Sequence, residues 1–118
     1  MKPCFNGLVA AEWLEDGRDM RLLKDLIYCD RGGKIWTAPA GRIVNGASIP
    51  QFLWDKVGSP YCGRYRRASV IHDIYCEDQS EPWEAVHQVF EEMMEVDGVD
   101  YPLRREMFLA VWYFGPRW

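Results

Sequence analysis

The spacing of apolar residues changes character at Asn45-Gly46-Ala47-Ser48-Ile49-Pro50-Gln51, and that change divides the chain into two kinds of structure. Before it, short apolar runs alternate with turn signals, the pattern of strands. After it, apolar residues recur three and four apart, the pattern of helices. Leu8–Leu14 closes on Glu15-Asp16-Gly17-Arg18, where Asp-Gly favours a hairpin. Met20–Tyr28 has leucines enough for a short helix, but it lies between two turns and partly alternates, so it is read as a strand. Asp30-Arg31-Gly32-Gly33 turns the chain, Lys34–Ala38 alternates with β-favouring residues, Pro39-Ala40-Gly41 breaks it, and Arg42-Ile43-Val44 resumes an extended run.

The boundary segment reads as a helix start. Asn45-Gly46 supplies a turn, Ser48 and Gln51 have capping-box spacing, and Pro50 falls where its missing N–H costs nothing. The spacing predicts a helix from Ile49 to about Val57, stopped by Gly58-Ser59-Pro60, and a second from about Tyr65 to Glu77. Ser80 is the expected cap of a third, with Trp83, Val86, Val89, Phe90, Met93 and Met94 as its core stripe and Gly98 at its end. Asp100 and Pro102 open a fourth, carrying Met107, Phe108, Val111, Trp112 and Phe114 up to Gly115-Pro116. The expected fold class is α+β: an N-terminal antiparallel β meander over residues 1–44, then about four helices over 45–118, with a central antiparallel helical hairpin in one domain.

Composition bounds the function. At 118 residues, 48% hydrophobic with six tryptophans, the chain suits an ordered core and not a disordered segment. Its net charge of −4 argues against nucleic acid as a partner. Arg64, Arg66 and Arg67, and the pair Arg104-Arg105, are too few and too mixed with acids to reverse that balance. Cys4, Cys29, Cys62 and Cys76 form no C-x-x-C pair; free thiols are the default, with disulfides left open. The first residues lack the pattern of a signal peptide, and no run is long enough for a transmembrane segment, so a reducing cytoplasm is the default expectation.

Chemistry concentrates in Ala68–Cys76. On a helical net Ser69, His72 and Cys76 share one stripe while Asp73 lies about 100° round from His72. An imidazole beside a carboxylate suits a general base or a metal site, although such a pair on a helix is more often a solvated or hydrogen-bonded structural one. His87 stands about six residues beyond the Asp78-Gln79-Ser80 turn and His72 six or seven before it. In an antiparallel hairpin both lie roughly 9–10 Å from the turn and can meet. The candidate catalytic residues are therefore His72, Asp73 and His87, and the candidate metal ligands are the same three with Asn45, whose loop offers oxygen atoms to a divalent cation, calcium or zinc.

The chain resembles a family found largely in bacteriophages and prophages, known as domain of unknown function 1353. The likeness runs from about Leu22 to the C-terminus, through Pro39-Ala40-Gly41, Gly46-Ala47-Ser48-Ile49-Pro50 with Leu53-Trp54, Gly63-Arg64-Tyr65 with Ala68, Ile71-His72-Asp73, Phe90 with Met93, and Ala110-Val111 with Phe114-Gly115. Family members usually place Ala-Asp where this chain has Val86-His87, and commonly a Tyr where it has Cys76. More loosely, the helix pair is similar to that of the small calcium-dependent phospholipases A2. That likeness implies His72 as the base that activates water, Asp73 as a calcium ligand and the loop at Asn45-Gly46 as a carbonyl source. His87 stands where those enzymes carry an orienting acid, and neutral imidazole supplies no negative charge. Two readings follow: a metal-dependent hydrolase-like centre acting on a host envelope, or a non-enzymatic virion, tail-assembly or host-interaction protein, including an inhibitor of a host protein, with aromatics such as Trp118 or Tyr113 as contacts. Whether the chain is an enzyme stays open at this level.

Overall fold

The short runs separated by turns form strands, and these divide between two three-stranded sheets. A computed structural model describes residues 2–17, 19–57 and 63–118. Its strands are β1 (Cys4–Phe5), β2 (Ala11–Trp13), β3 (Met20–Leu22), β4 (Leu26–Cys29), β5 (Ile35–Ala38) and β6 (Ile43–Val44). They pair antiparallel throughout, in the orders β1-β4-β5 and β2-β3-β6. The single strand expected over Met20–Tyr28 is two, interrupted at Leu23-Lys24-Asp25, because these residues have other partners. Leu23 N–H donates to Ala10 O, the Asp25 carboxylate accepts from Ala40 N–H at 2.7 Å, and the Asn6 side chain brackets Asp25 O and Ile27 N–H. Leu22 and Leu26 thereby both face the core, one from each sheet.

The helices are α1 (Gln51–Val57), α2 (Arg66–Asp78), α3 (Trp83–Val96) and α4 (Tyr101–Phe114), with a 3-10 turn at Gly63–Tyr65 before α2. The expected helix stop at Gly58-Ser59-Pro60, Arg18 of the first turn and Cys62 lie outside the described residues. Gln79 closes α2 in the left-handed conformation, its N–H bonded to Tyr75 O. Ser80 does not cap α3; Pro82 occupies the cap position in extended geometry and its carbonyl takes the Val86 N–H. Gly98, at φ 78°, turns the chain into α4.

Helix α2 is the centre of the molecule. Ala68, Val70, Ile71 and Ile74 are buried in the common core with Tyr28, Trp36, Leu53, Phe90, Met93, Met94 and Met107, so α2 has neighbours on nearly every side. That position explains why polar residues on it are enclosed, and why each needs a partner. Among the described residues no helix is long and apolar enough to cross a membrane.

Two ion-pair clamps hold α2 in place. At its start Arg67 grips Asp97 with two guanidinium nitrogens, donates to Gly7 O at 3.0 Å and stacks over Phe5. At its end Arg42, just before β6, binds Asp78 through both carboxylate oxygens, at 2.9 and 2.7 Å. The first clamp is largely enclosed and joins β1, α2 and the end of α3. Arg67→Met should lower the urea midpoint at unchanged slope, with a loss of about 1–3 kcal/mol from the orphaned Asp97. An unchanged midpoint would mean that the pair is as dispensable as an ordinary surface bridge.

Candidate functional site

The helical hairpin of α2 and α3 places His72 against His87, as equal heights on two antiparallel helices allow. His72 Nε2 and His87 Nδ1 are 2.9 Å apart, and both rings are fully buried. His87 Nε2 lies 2.9 Å from the carbonyl oxygen of Pro116, and His72 Nδ1 lies 3.0 Å from Ser48 Oγ. Four groups thus form one hydrogen-bonded line, and only one arrangement of protons satisfies it while both rings are neutral. A carbonyl oxygen can only accept, so His87 carries its proton on Nε2. Its Nδ1 then accepts, His72 carries its proton on Nε2, and the lone pair of His72 Nδ1 accepts from the Ser48 hydroxyl.

Neutral rings are what the surroundings favour. Burial pushes the His72 pKa well below its usual value, and the neighbouring His87 pushes it in the same direction. His87 is also lowered, chiefly by burial, against an opposing contribution from the Pro116 carbonyl. Trp83, Trp112 and Trp118 surround His87 at ring distances of 5.7, 6.5 and 6.2 Å. The segment after α4 completes this wall: Trp118 Nε1 donates to Glu81 O, and Arg117 binds Trp112 O and stacks on Trp83.

These shifts have a consequence for stability. Both histidines bind protons less readily folded than unfolded, where the pKa is about 6.5. The folded state is therefore at full advantage above that value and loses it as pH falls below, by up to about 1.4 kcal/mol per pH unit for each histidine that must be forced neutral. Urea midpoints measured from about pH 7.5 down to about pH 5 should fall steeply in the wild-type chain and less in His87→Gln. Equal slopes in the two proteins would show that His87 does not resist protonation.

Asp73 belongs to a different part of the neighbourhood. It is 6% exposed, and its two oxygens accept from Asn45 N–H at 3.0 Å and Ser48 N–H at 3.3 Å. Asn45 uses its side-chain oxygen on Ala47 N–H at 2.8 Å. The four residues singled out in the sequence are thus adjacent but split. The imidazoles of His72 and His87 meet, whereas Asp73 and Asn45 organise the loop that carries Ser48.

Three participants had no role in the sequence reading. The capping-box spacing gave Ser48 to the start of α1; in the structure its hydroxyl turns to His72. Cys76, one turn after His72 on the same stripe, holds its sulfur 3.6 Å from His72 Nε2 and 3.8 Å from Nδ1. Its thiol is pushed up to about 12, by burial first and then by the Asp73 charge, with the Ser48 hydroxyl acting in the opposite direction. Pro116 contributes only its carbonyl, which no side-chain pattern announces. Ser48, Asp73, Cys76 and Pro116 open onto a cavity of about 420 Å³ that Ile43, Asn45, Ala47 and Glu77 complete. The histidines stand behind that wall.

The family pattern described as a protein of unknown function (DUF1353) matches residues 20–111, a stretch that contains Ser48, His72, Cys76 and His87. The chain belongs to the DUF1353 family. Two relatives from Sinorhizobium fredii (strain NBRC 101917 / NGR234) show the same kinship. The uncharacterized protein y4iH is 39% identical over 116 residues, covering 98% of this chain and 48% of its own length. The uncharacterized protein y4jT is 40% identical over 97 residues, covering 82% of this chain and 29% of its own. The chain therefore spans about half the length of the first and less than a third of the second. No solved structure matches it. The Ser48 segment and both histidine helices fall inside the matched region, whereas Pro116 lies just beyond it.

Proposed function

We propose that this DUF1353 chain is an acyl-ester hydrolase in which Ser48 is the nucleophile, His72 the general base and His87 the group that orients His72. The observation that carries the reading is the unbroken hydrogen-bonded line from Ser48 Oγ through both imidazoles to Pro116 O. It leaves the unprotonated Nδ1 of His72 facing the hydroxyl of Ser48, a residue that lines an open cavity, the relation an activated serine requires. Ser48 Oγ attacks the acyl carbon while its proton passes to His72 Nδ1. The resulting imidazolium returns that proton to the departing alkoxide. Water then attacks the acyl-serine, again losing a proton to His72, and carboxylate leaves as Ser48 recovers its hydrogen.

Two features set the substrate class. The backbone N–H groups of Asn45 and Ser48 are engaged by Asp73 and do not serve a developing oxyanion. His87 is neutral and offers no charge to the imidazolium. A site of this kind suits esters with good leaving groups, and amides poorly. In a phage setting, the substrate would be an ester of the host envelope, and the protein would work from the virion or the host cytoplasm.

His87→Asp tests the role assigned to His87. An aspartate Oδ branches from Cγ as histidine Nδ1 does, so it can accept the same bond from His72 and add negative charge. Hydrolysis of p-nitrophenyl acetate should rise about tenfold or more in His87→Asp and fall by a similar factor in His87→Ala. Equal rates in all three proteins would remove His87 from the mechanism, and a rate unaffected by Ser48→Ala would remove the proposal.

A non-enzymatic reading has one observation behind it. Phe52 and Phe114 pack edge to face at 5.7 Å yet stand 55% and 72% exposed, beside an equally exposed Tyr113. Such a surface suits contact with a phage or host protein. Substitutions there would leave ester hydrolysis unchanged, so the two readings separate in one assay.

A further inference from the structure

The geometry points to a second occupant of the same chamber: a zinc-type divalent ion held by His72 Nε2, His87 Nδ1 and Cys76 Sγ, which switches the serine centre off while it is bound. One ligand atom from each of these residues lies within 4.8 Å of the others. A tetrahedral zinc ion has Zn–N near 2.0–2.1 Å and Zn–S near 2.3 Å, so its ligands stand about 3.3–3.6 Å apart. The His72 Nε2 to His87 Nδ1 separation of 2.9 Å and the Cys76 Sγ to His72 Nε2 separation of 3.6 Å are close to those edges. Small movements therefore convert a hydrogen-bonded trio into three coordination bonds. A single turn of helix, from His72 to Cys76, supplies two ligands in the i, i+4 relation, and the facing helix supplies the third.

The surroundings complete the case. His87 keeps its Nε2 proton on Pro116 O, the outer hydrogen bond that fixes a metal-bound imidazole in orientation. Cys76 lines the 420 Å³ cavity, which gives the ion a route in and leaves its fourth position for water. Two nitrogens and one thiolate select a borderline metal such as zinc over calcium or magnesium, which prefer oxygen ligands. The protons balance simply. The Cys76 S–H bond breaks and its proton goes to solvent as the thiolate–metal bond forms. The His72 proton moves from Nε2 to Nδ1 as Nε2 takes the metal. With Nδ1 protonated, His72 donates to Ser48 Oγ instead of accepting from it, and the base is gone. Metal capture does not depend on Ser48 being a nucleophile; only the switching does.

Cobalt(II) is the probe, because its spectrum reports both geometry and ligand. The full chain carrying Cys4→Ala, Cys29→Ala and Cys62→Ala, so that Cys76 is the sole thiol, is titrated with Co2+. The expected result is one tetrahedral site per chain, with strong visible bands and a thiolate-to-cobalt charge-transfer band, displaced by Zn2+. Adding Cys76→Ala should abolish the charge-transfer band and weaken binding about tenfold or more. His87→Ala should weaken it similarly, while Ser48→Ala keeps the full spectrum. If Cys76→Ala fails to fold by circular dichroism, Cys76→Ser, close in size, carries the same test. A weak octahedral spectrum, or a charge-transfer band that survives loss of Cys76, would overturn the site. Zn2+ should also suppress ester hydrolysis, and chelator should restore it. A tetrahedral site that leaves hydrolysis unchanged would overturn the switch alone, and an inactive protein that still shows the spectrum would count against the serine and not against the metal site.

Discussion

Ser48→Ala is expected to cut ester hydrolysis by at least about 10³-fold while the protein stays folded. The substitution removes one buried hydroxyl and leaves His72 Nδ1 without its donor, a cost of about 1–3 kcal/mol that a domain of this size can bear. Nothing else on the loop changes, because the Ser48 N–H bond to Asp73 is made by the backbone and survives. The loss should appear in kcat, since the hydroxyl matters for bond formation more than for holding a substrate in the cavity. A variant with normal kcat would mean that hydrolysis, if any, uses another group, with Cys76 the nearest alternative.

Asp73→Ala should have the largest effect on stability. The carboxylate gathers two backbone N–H groups from the 45–48 loop onto the central helix, and alanine would leave both without that acceptor, in a loop whose Ser48 is buried and whose Asn45 is half-buried at the cavity edge. Each buried N–H left without an acceptor costs about 1–3 kcal/mol, so a loss of about 2–5 kcal/mol is expected, read as a lowered urea midpoint. Activity should fall as well, because Ser48 is no longer held at bonding distance from His72. Asp73→Asn keeps one acceptor oxygen and should fall between the two in both measurements. Should Asp73→Ala instead prove as stable as wild type, the loop has another anchor and Asp73 is free for a different role, such as the cation ligand implied by the phospholipase likeness.

The parts of this protein that were legible in its sequence are those governed by local periodicity. The apolar stripes of α3 and α4 are regular, and the Gly98 stop is read directly from its residue type. The meeting of His72 and His87 was also within reach, because helical rise and a short turn together fix height. The two-sheet division was not. Leu22 and Leu26 look like one alternating run, and only the claims of Ala10, Asn6 and Ala40 on the intervening residues show where it breaks.

Ser48 is the more instructive omission. A local rule explained it fully, as a helix cap, and so concealed a tertiary role that depends on a helix 24 residues away. Cys76 was visible as a neighbour of His72 by helical spacing, but its part depends on His87, on a different helix. The Pro116 carbonyl that fixes the proton positions has no side-chain signature at all. Gly115-Pro116 reads as a helix stop, and that is the whole of its local meaning.

A fluorophosphonate, which reacts preferentially with an activated serine, tests the account most directly. Treatment of the wild-type chain should add a single label, and peptide mass mapping should find it on Ser48. His72→Gln should block labelling, and His87→Asp should speed it. A protein that resists the reagent, or that takes the label elsewhere on the chain, would contradict the assignment of Ser48, His72 and His87 as one chemical unit.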